Sequence, residues 1–192
     1  MNLQHVNAKL IAKNGEPADL APVIPVFHSW IQERAMEELL LDVADYRHVP
    51  GGPGVVLIGH EANYSVDSTG GRLGVRYNRK APLEGSSEGS LEQAVRAALR
   101  AYRLLESDSR LQGRFRFGGR ELELSVNDRL LAPNNDSTRG ALEPEIRALC
   151  MRLFAGKYYS LEYEPEPRRL FSVVVKSSES FTADDLLMNL TS

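Results

Sequence analysis

The sequence predicts an α+β fold, a mainly antiparallel sheet with amphipathic helices packed on it, in one domain spanning residues 1–192. Three observations predict it: strand pairs joined by short Gly- or Pro-containing turns, two amphipathic helical stripes, and a hairpin–loop–helix pattern that recurs along the chain. With 192 residues, 42% hydrophobic and 26% charged, the chain can bury one substantial core and is not of disordered composition.

Residues 3–13 alternate weakly through Val6, Ala8, Leu10 and Ala12 and read as a first strand. Pro17, Pro22 and Pro25 interrupt any long early helix. Pro25 can open a helix reaching about Met36, because proline is tolerated in a first turn, and Phe27, Trp30 and Ile31 then face the core. Leu39, Leu41 and Val43 form the next alternating strand, and Pro50-Gly51-Gly52-Pro53-Gly54 leads into Val55-Val56-Leu57-Ile58, a β-branched run expected in the sheet centre.

Three hairpins follow from local pairing. The first joins 63–67 to 72–78 across Ser68-Thr69-Gly70-Gly71, with Val66 opposite Leu73, Tyr64 opposite Val75 and Asp67 beside Arg72. In the second, Gly118-Gly119 is read as a two-residue turn, setting Phe115 opposite Leu122, Arg116 opposite Glu121 and Arg114 opposite Glu123. The third joins 158–163 to 169–175 through Glu164-Pro165-Glu166-Pro167-Arg168, pairing Leu161 with Phe171 and Tyr159 with Val173.

Ser90, with Gln93 three residues on, forms a capping box for a helix whose stripe is Leu91, Ala94, Val95, Ala98, Tyr102 and Leu105. A second helix runs from about Gly140 to Phe154, turning Leu142, Ile146, Leu149, Cys150 and Leu153 inward. The tail, 178–192, holds one short helix over 183–190, capped by Thr182. Laying residues 81–97 over 132–148 aligns Ala81-Pro82 with Ala132-Pro133 and Leu91-Glu92 with Leu142-Glu143. Residues 62–108 and 114–156 are therefore expected to be two repeated ββα units in one sheet.

Composition narrows the function classes. A net charge of −3 argues against a nucleic-acid-binding surface. The single cysteine, Cys150, excludes an intramolecular disulfide and fits a buried residue in a reducing compartment. The first residues lack a basic and then apolar leader, and no apolar run approaches the roughly 18–20 residues of a membrane span. The expected compartment is the cytoplasm, with no membrane partner. No phosphate loop or Gly-x-Ser-x-Gly elbow is present, and His5, His28, His48 and His60 lack metal-ligand spacing, so neither cofactor nor metal is expected.

Two groups of residues can carry chemistry. His60-Glu61 ends the 55–59 strand, where an imidazole can act as general acid or base, with Asp45 and Tyr46 in support if the neighbouring strands pair suitably. Arg72, Arg76, Asn78, Arg79 and Lys80, with Arg129 as repeat counterpart, concentrate positive charge ahead of two helix N-termini, which is the chemistry of an anion site. The leading expectation is an intracellular binding or interaction module for an anionic ligand or an acidic partner, with a homodimer as one arrangement. The alternatives are a small enzyme using His60 and a structural subunit displaying an exposed apolar patch.

Overall fold

The computed structural model describes residues 3–13, 19–83, 85–111, 113 and 115–191; Pro17 and Arg114 lie outside them. Among the described residues eight strands form one antiparallel sheet: β1 (Val6–Ala12), β2 (Leu40–Tyr46), β3 (Gly54–Gly59), β4 (Ala62–Asp67), β5 (Gly74–Arg79), β6 (Phe117–Val126), β7 (Tyr159–Tyr163) and β8 (Ser172–Ser177). Among the described residues there are four α-helices: α1 (Val23–Glu33), α2 (Ser87–Ser107), α3 (Asp136–Leu153) and α4 (Ala183–Asn189). The spatial order is β2-β3-β4-β5-β1-β6-β8-β7, so the first strand in sequence lies inside the sheet and joins its two wings.

Side-chain alternation divides the sheet into two unlike faces. One face carries Val6, Ala8, Leu10, Leu57, Tyr64, Val75, Tyr77, Leu122, Leu124, Val173 and Val175, which share one core with the buried stripes of the helices. The stripe of α2 and that of α3, Cys150 included, are buried as their periodicity predicts. The caps lie earlier than expected. Ser86 caps α2, accepting from the Gly89 N–H, while the Ser90 hydroxyl donates to Leu3 O; Asn135 caps α3, accepting from the Thr138 N–H. Thr182 caps α4 in a full capping box with Asp185.

The other face is polar. One cross-strand row reads Asn63, Asn78, Asn7, Ser125, Ser172, and the next reads Ser65, Arg76, Lys9, Glu123, Val174. Lys9 and Asp67 are each 1% exposed, and the Lys9 ammonium meets the Asp67 carboxylate at 2.6 Å. Burial alone would raise the Asp67 carboxyl, but Lys9 and Arg76 beside it hold it below the usual carboxylate range. Burial pulls the Lys9 ammonium down against the pull of Asp67.

The structure corrects the second hairpin. Gly118-Gly119 is not a turn: β6 runs through it, paired with β1 on one side and β8 on the other. Gly119 has φ +60°, and a Cβ there would stand 1.7 Å from the Phe181 carbonyl oxygen, so the glycine serves a close backbone approach beside a break in the β1–β6 register. A single strand therefore precedes α3, and the ββα unit is not shown twice.

The first and third hairpins form with other registers. Val66 faces Val75 and Tyr64 faces Tyr77, because a turn over Thr69–Gly71 lengthens the loop and Leu73 O accepts the Ala12 N–H of β1. Leu161 faces Val175 and Tyr159 faces Ser177. Pro165 and Pro167 cannot donate to a ladder, and Phe171 O accepts the Val126 N–H instead. Both slips are even, so the expected core faces survive.

Lys9→Met leaves Asp67 charged and buried without its closest cation, with Arg76 at 3.4 Å as the remaining one; a loss of about 3–5 kcal/mol is expected in urea denaturation, largely recovered in a Lys9→Met/Asp67→Leu double variant. Gly119→Ala is expected to cost more than about 1 kcal/mol by the same measurement, because φ and space both oppose it. Gly118→Ala, whose Cβ would meet Lys13 Cβ at 3.4 Å, should be nearly neutral.

Candidate functional site

The residues expected to act with His60 are not brought together. His60 and Glu61 form the two-residue turn between β3 and β4, since Ile58 faces Asn63 and each strand ends one residue on. The imidazole is exposed, and the His60 N–H donates to Leu39 O. Asp45 and Tyr46 lie opposite Val55 and Gly54, at the far end of β3. Five residues of extended strand place them roughly 17 Å from the turn. Asp45 instead chelates the Arg47 guanidinium at 2.8–2.9 Å, which holds its carboxyl down at about 2.

The basic residues divide by strand parity. Arg72, Arg76 and Asn78 lie toward the polar face of the sheet. Arg72 pairs with Glu121, and Arg76 reaches Asp67 at 3.4 Å and Glu123 at 3.6 Å. Asn78 stands between Asn63 and Asn7 in its cross-strand row. Arg79, 8% exposed, bridges Ala81 O, Pro82 O and the Glu61 carboxylate at 2.8–3.2 Å. Lys80 donates to Gly59 O at 2.6 Å, and Arg129 stands exposed in the turn after β6. Most of these cations are committed to acids or carbonyls of neighbouring strands.

A different set of arginines meets in a cleft of about 340 Å³ on the helical side. The left-handed C-cap of α1 at Arg34, φ 52°, turns the chain so that residues 35–38 run beside α2. Arg96, Arg100 and Arg103 recur at helical spacing on α2, and with Gln93, Ala97 and Leu104 they form one wall. Met36, Glu37 and Glu38 line the other, and Tyr64 of β4 lines it as well. Glu38 is anchored at one oxygen: its Oε2 accepts the Ala62 N–H at 2.9 Å, and its carboxylate lies beside the Tyr64 hydroxyl. Burial, with the Glu38 charge beside it, pushes that hydroxyl well above the ordinary phenol range.

The three guanidiniums are held with different firmness. Arg96 binds Glu92 at 2.6 Å and Leu190 O at 2.8 Å, with its side chain 22% exposed. Arg100 is held by Glu37, whose side chain is 83% exposed, and Arg103 by Asp184, 65% exposed. Solvent-exposed pairs of that kind are worth about 0–1 kcal/mol, so Arg100 and Arg103 exchange partners at little cost. Their periodicity is legible in the sequence, but the acidic segment facing them comes from a distant stretch of chain.

Among the described residues no group of three or more His, Cys, Asp or Glu side chains is placed to hold a metal ion. The Cys150 thiol is buried, which pushes it up to about 12 and leaves it unreactive. No helix among the described residues is long and apolar enough to cross a membrane. Comparison with protein-family models, curated proteins and solved structures finds no match to this chain.

Arg79 is a structural cation, bonded on three sides and nearly buried. Arg79→Ala is expected to lower stability by about 1.5–3 kcal/mol, the worth of hydrogen bonds from a charged donor, as read from the denaturant midpoint.

Proposed function

We propose that the protein is a non-enzymatic binding module that takes a small anionic ligand in the cleft between α2 and residues 35–38. The observation that carries this reading is the pair Arg100 and Arg103, which line a half-enclosed cleft and form solvent-exposed ion pairs there, with Glu37 and Asp184. A carboxylate or phosphate can displace such partners, because the ligand regains the charge-assisted hydrogen bonds that the exposed acids give up. Arg72 and Arg76 are poorer candidates on the same reasoning. Their partners Glu121, Glu123 and Asp67 are fixed on neighbouring strands and partly or wholly buried, so an incoming anion would strand a desolvated carboxylate. Met36, Ala97 and Leu104 add an apolar surface that favours an organic anion over an inorganic one.

The test is thermal unfolding in the presence of phosphate, citrate and short-chain carboxylates. A ligand at one hundred times its dissociation constant adds about 2.7 kcal/mol of stability. An upward shift with at least one anion is expected, and it should vanish in an Arg100→Ala/Arg103→Ala variant that keeps its own ligand-free midpoint. A shift that persists in that variant, or no shift with any anion, overturns the proposal.

A further inference from the structure

We infer that the ligand of the α2 cleft is a zwitterion, an ammonium and a carboxylate joined by a short apolar body, an inference that rests on the anion-binding reading above. The cleft is not uniformly basic: Arg96, Arg100 and Arg103 on α2 are opposed by Glu37 and Glu38 on the facing segment. An anion without a cation that takes Arg100 leaves Glu37 unpaired. A ligand that also carries an ammonium repairs that loss, opening the Arg100–Glu37 pair into two new pairs, guanidinium with carboxylate and ammonium with glutamate.

The acceptors for the ammonium are already oriented. Glu38 is held by the Ala62 N–H at 2.9 Å, so its carboxylate loses little entropy on binding. Gln93 donates through Nε2 to the Tyr77 hydroxyl at 2.9 Å. That leaves its Oε1, which takes no hydrogen bond from any described residue, as a second neutral acceptor in the same cleft. Donors from α2 and acceptors from Glu38 and Gln93 thus meet in one cleft, with Met36 and Leu104 supplying the apolar contact. Free amino acids with apolar side chains and ω-amino acids have this chemistry.

Isothermal titration of the full chain with hexanoate, hexylamine, L-leucine and 6-aminohexanoate distinguishes the cases. One of the two zwitterions is expected to bind about tenfold tighter than hexanoate, the worth of one added hydrogen bond to a charged group. Glu38→Gln, which keeps an oxygen for the Ala62 N–H, should bring that zwitterion to the affinity of hexanoate and leave hexanoate unchanged. Gln93→Leu should act in the same direction and serves if Glu38→Gln unfolds. Hexanoate binding as tightly as both zwitterions, or zwitterion binding indifferent to both variants, overturns this inference and leaves the anion-binding reading standing. Failure of hexanoate and both zwitterions to bind overturns this inference, and the anion-binding reading falls with it when phosphate, citrate and short-chain carboxylates also leave the thermal midpoint unmoved.

Discussion

The sheet depends on one buried contact between a lysine and an aspartate. Strands β2 to β5 form one wing and β6 to β8 the other, and only β1 is hydrogen-bonded to both. Lys9 sits near the middle of that seam and reaches Asp67 on β4, beyond the intervening β5, while Arg76 and Glu123 flank it on the adjoining strands. The pair is costly to desolvate, and its contribution to stability over an apolar substitute is small. Its effect is on arrangement. A one-residue slip of β1 would turn Lys9 into the apolar core and Ala8 or Leu10 toward charged neighbours, so the charge fixes which face of the seam is which.

That polarity decides where ligand chemistry can occur. The helices cover the apolar face, with α2 lying over β1 and β5. The inner stripe of α2 is committed to the core, and its flanking arginines emerge where α1 ends and the chain turns beside them. Arg76 of β5 reaches Asp67, diagonally across on β4, and Glu123 on β6, beyond the intervening β1, because side chains of one parity share the polar face of the sheet. Identical guanidinium groups are therefore structural on the sheet and exchangeable on the helix, the difference being how firmly each acid partner is held.

The sheet edge at β2 is managed with charge. Leu39 is 65% exposed and Leu41 51% exposed, which would make a free edge prone to pairing. Asp42 Oδ1 accepts the Val43 N–H at 2.7 Å, and Asp45 Oδ1 accepts the Arg47 N–H at 3.0 Å. Carboxylates thus occupy one backbone donor within the edge strand, at Val43, and one in the turn that ends it, at Arg47. Asp45, considered beside His60 as chemistry, belongs to this edge.

Local periodicity and capping chemistry in the sequence determined the fold class, the buried stripes of α2 and α3, the short capped α4 and the core-facing side of each outer hairpin. These depend on residues three or four apart in a helix and two apart in a strand, so a window of the chain contains them. The strand order, the course of β6 through Gly118-Gly119 and the two hairpin registers were decided by tertiary structure alone. The Gly-Gly pair satisfies a local turn preference, but β1 pairs with β6 on both sides of it, at Phe117 and from Leu122 onward, β8 adds a ladder from Glu121, and the Phe181 backbone lies against the glycine that permits it. The candidate cleft was half legible: Arg96, Arg100 and Arg103 show their common side by spacing, whereas Glu37, Glu38 and Tyr64 join them only when β4 and the end of α1 pack beside α2. Contacts between distant segments depend on which surfaces the chain buries together, and no local pattern contains that choice.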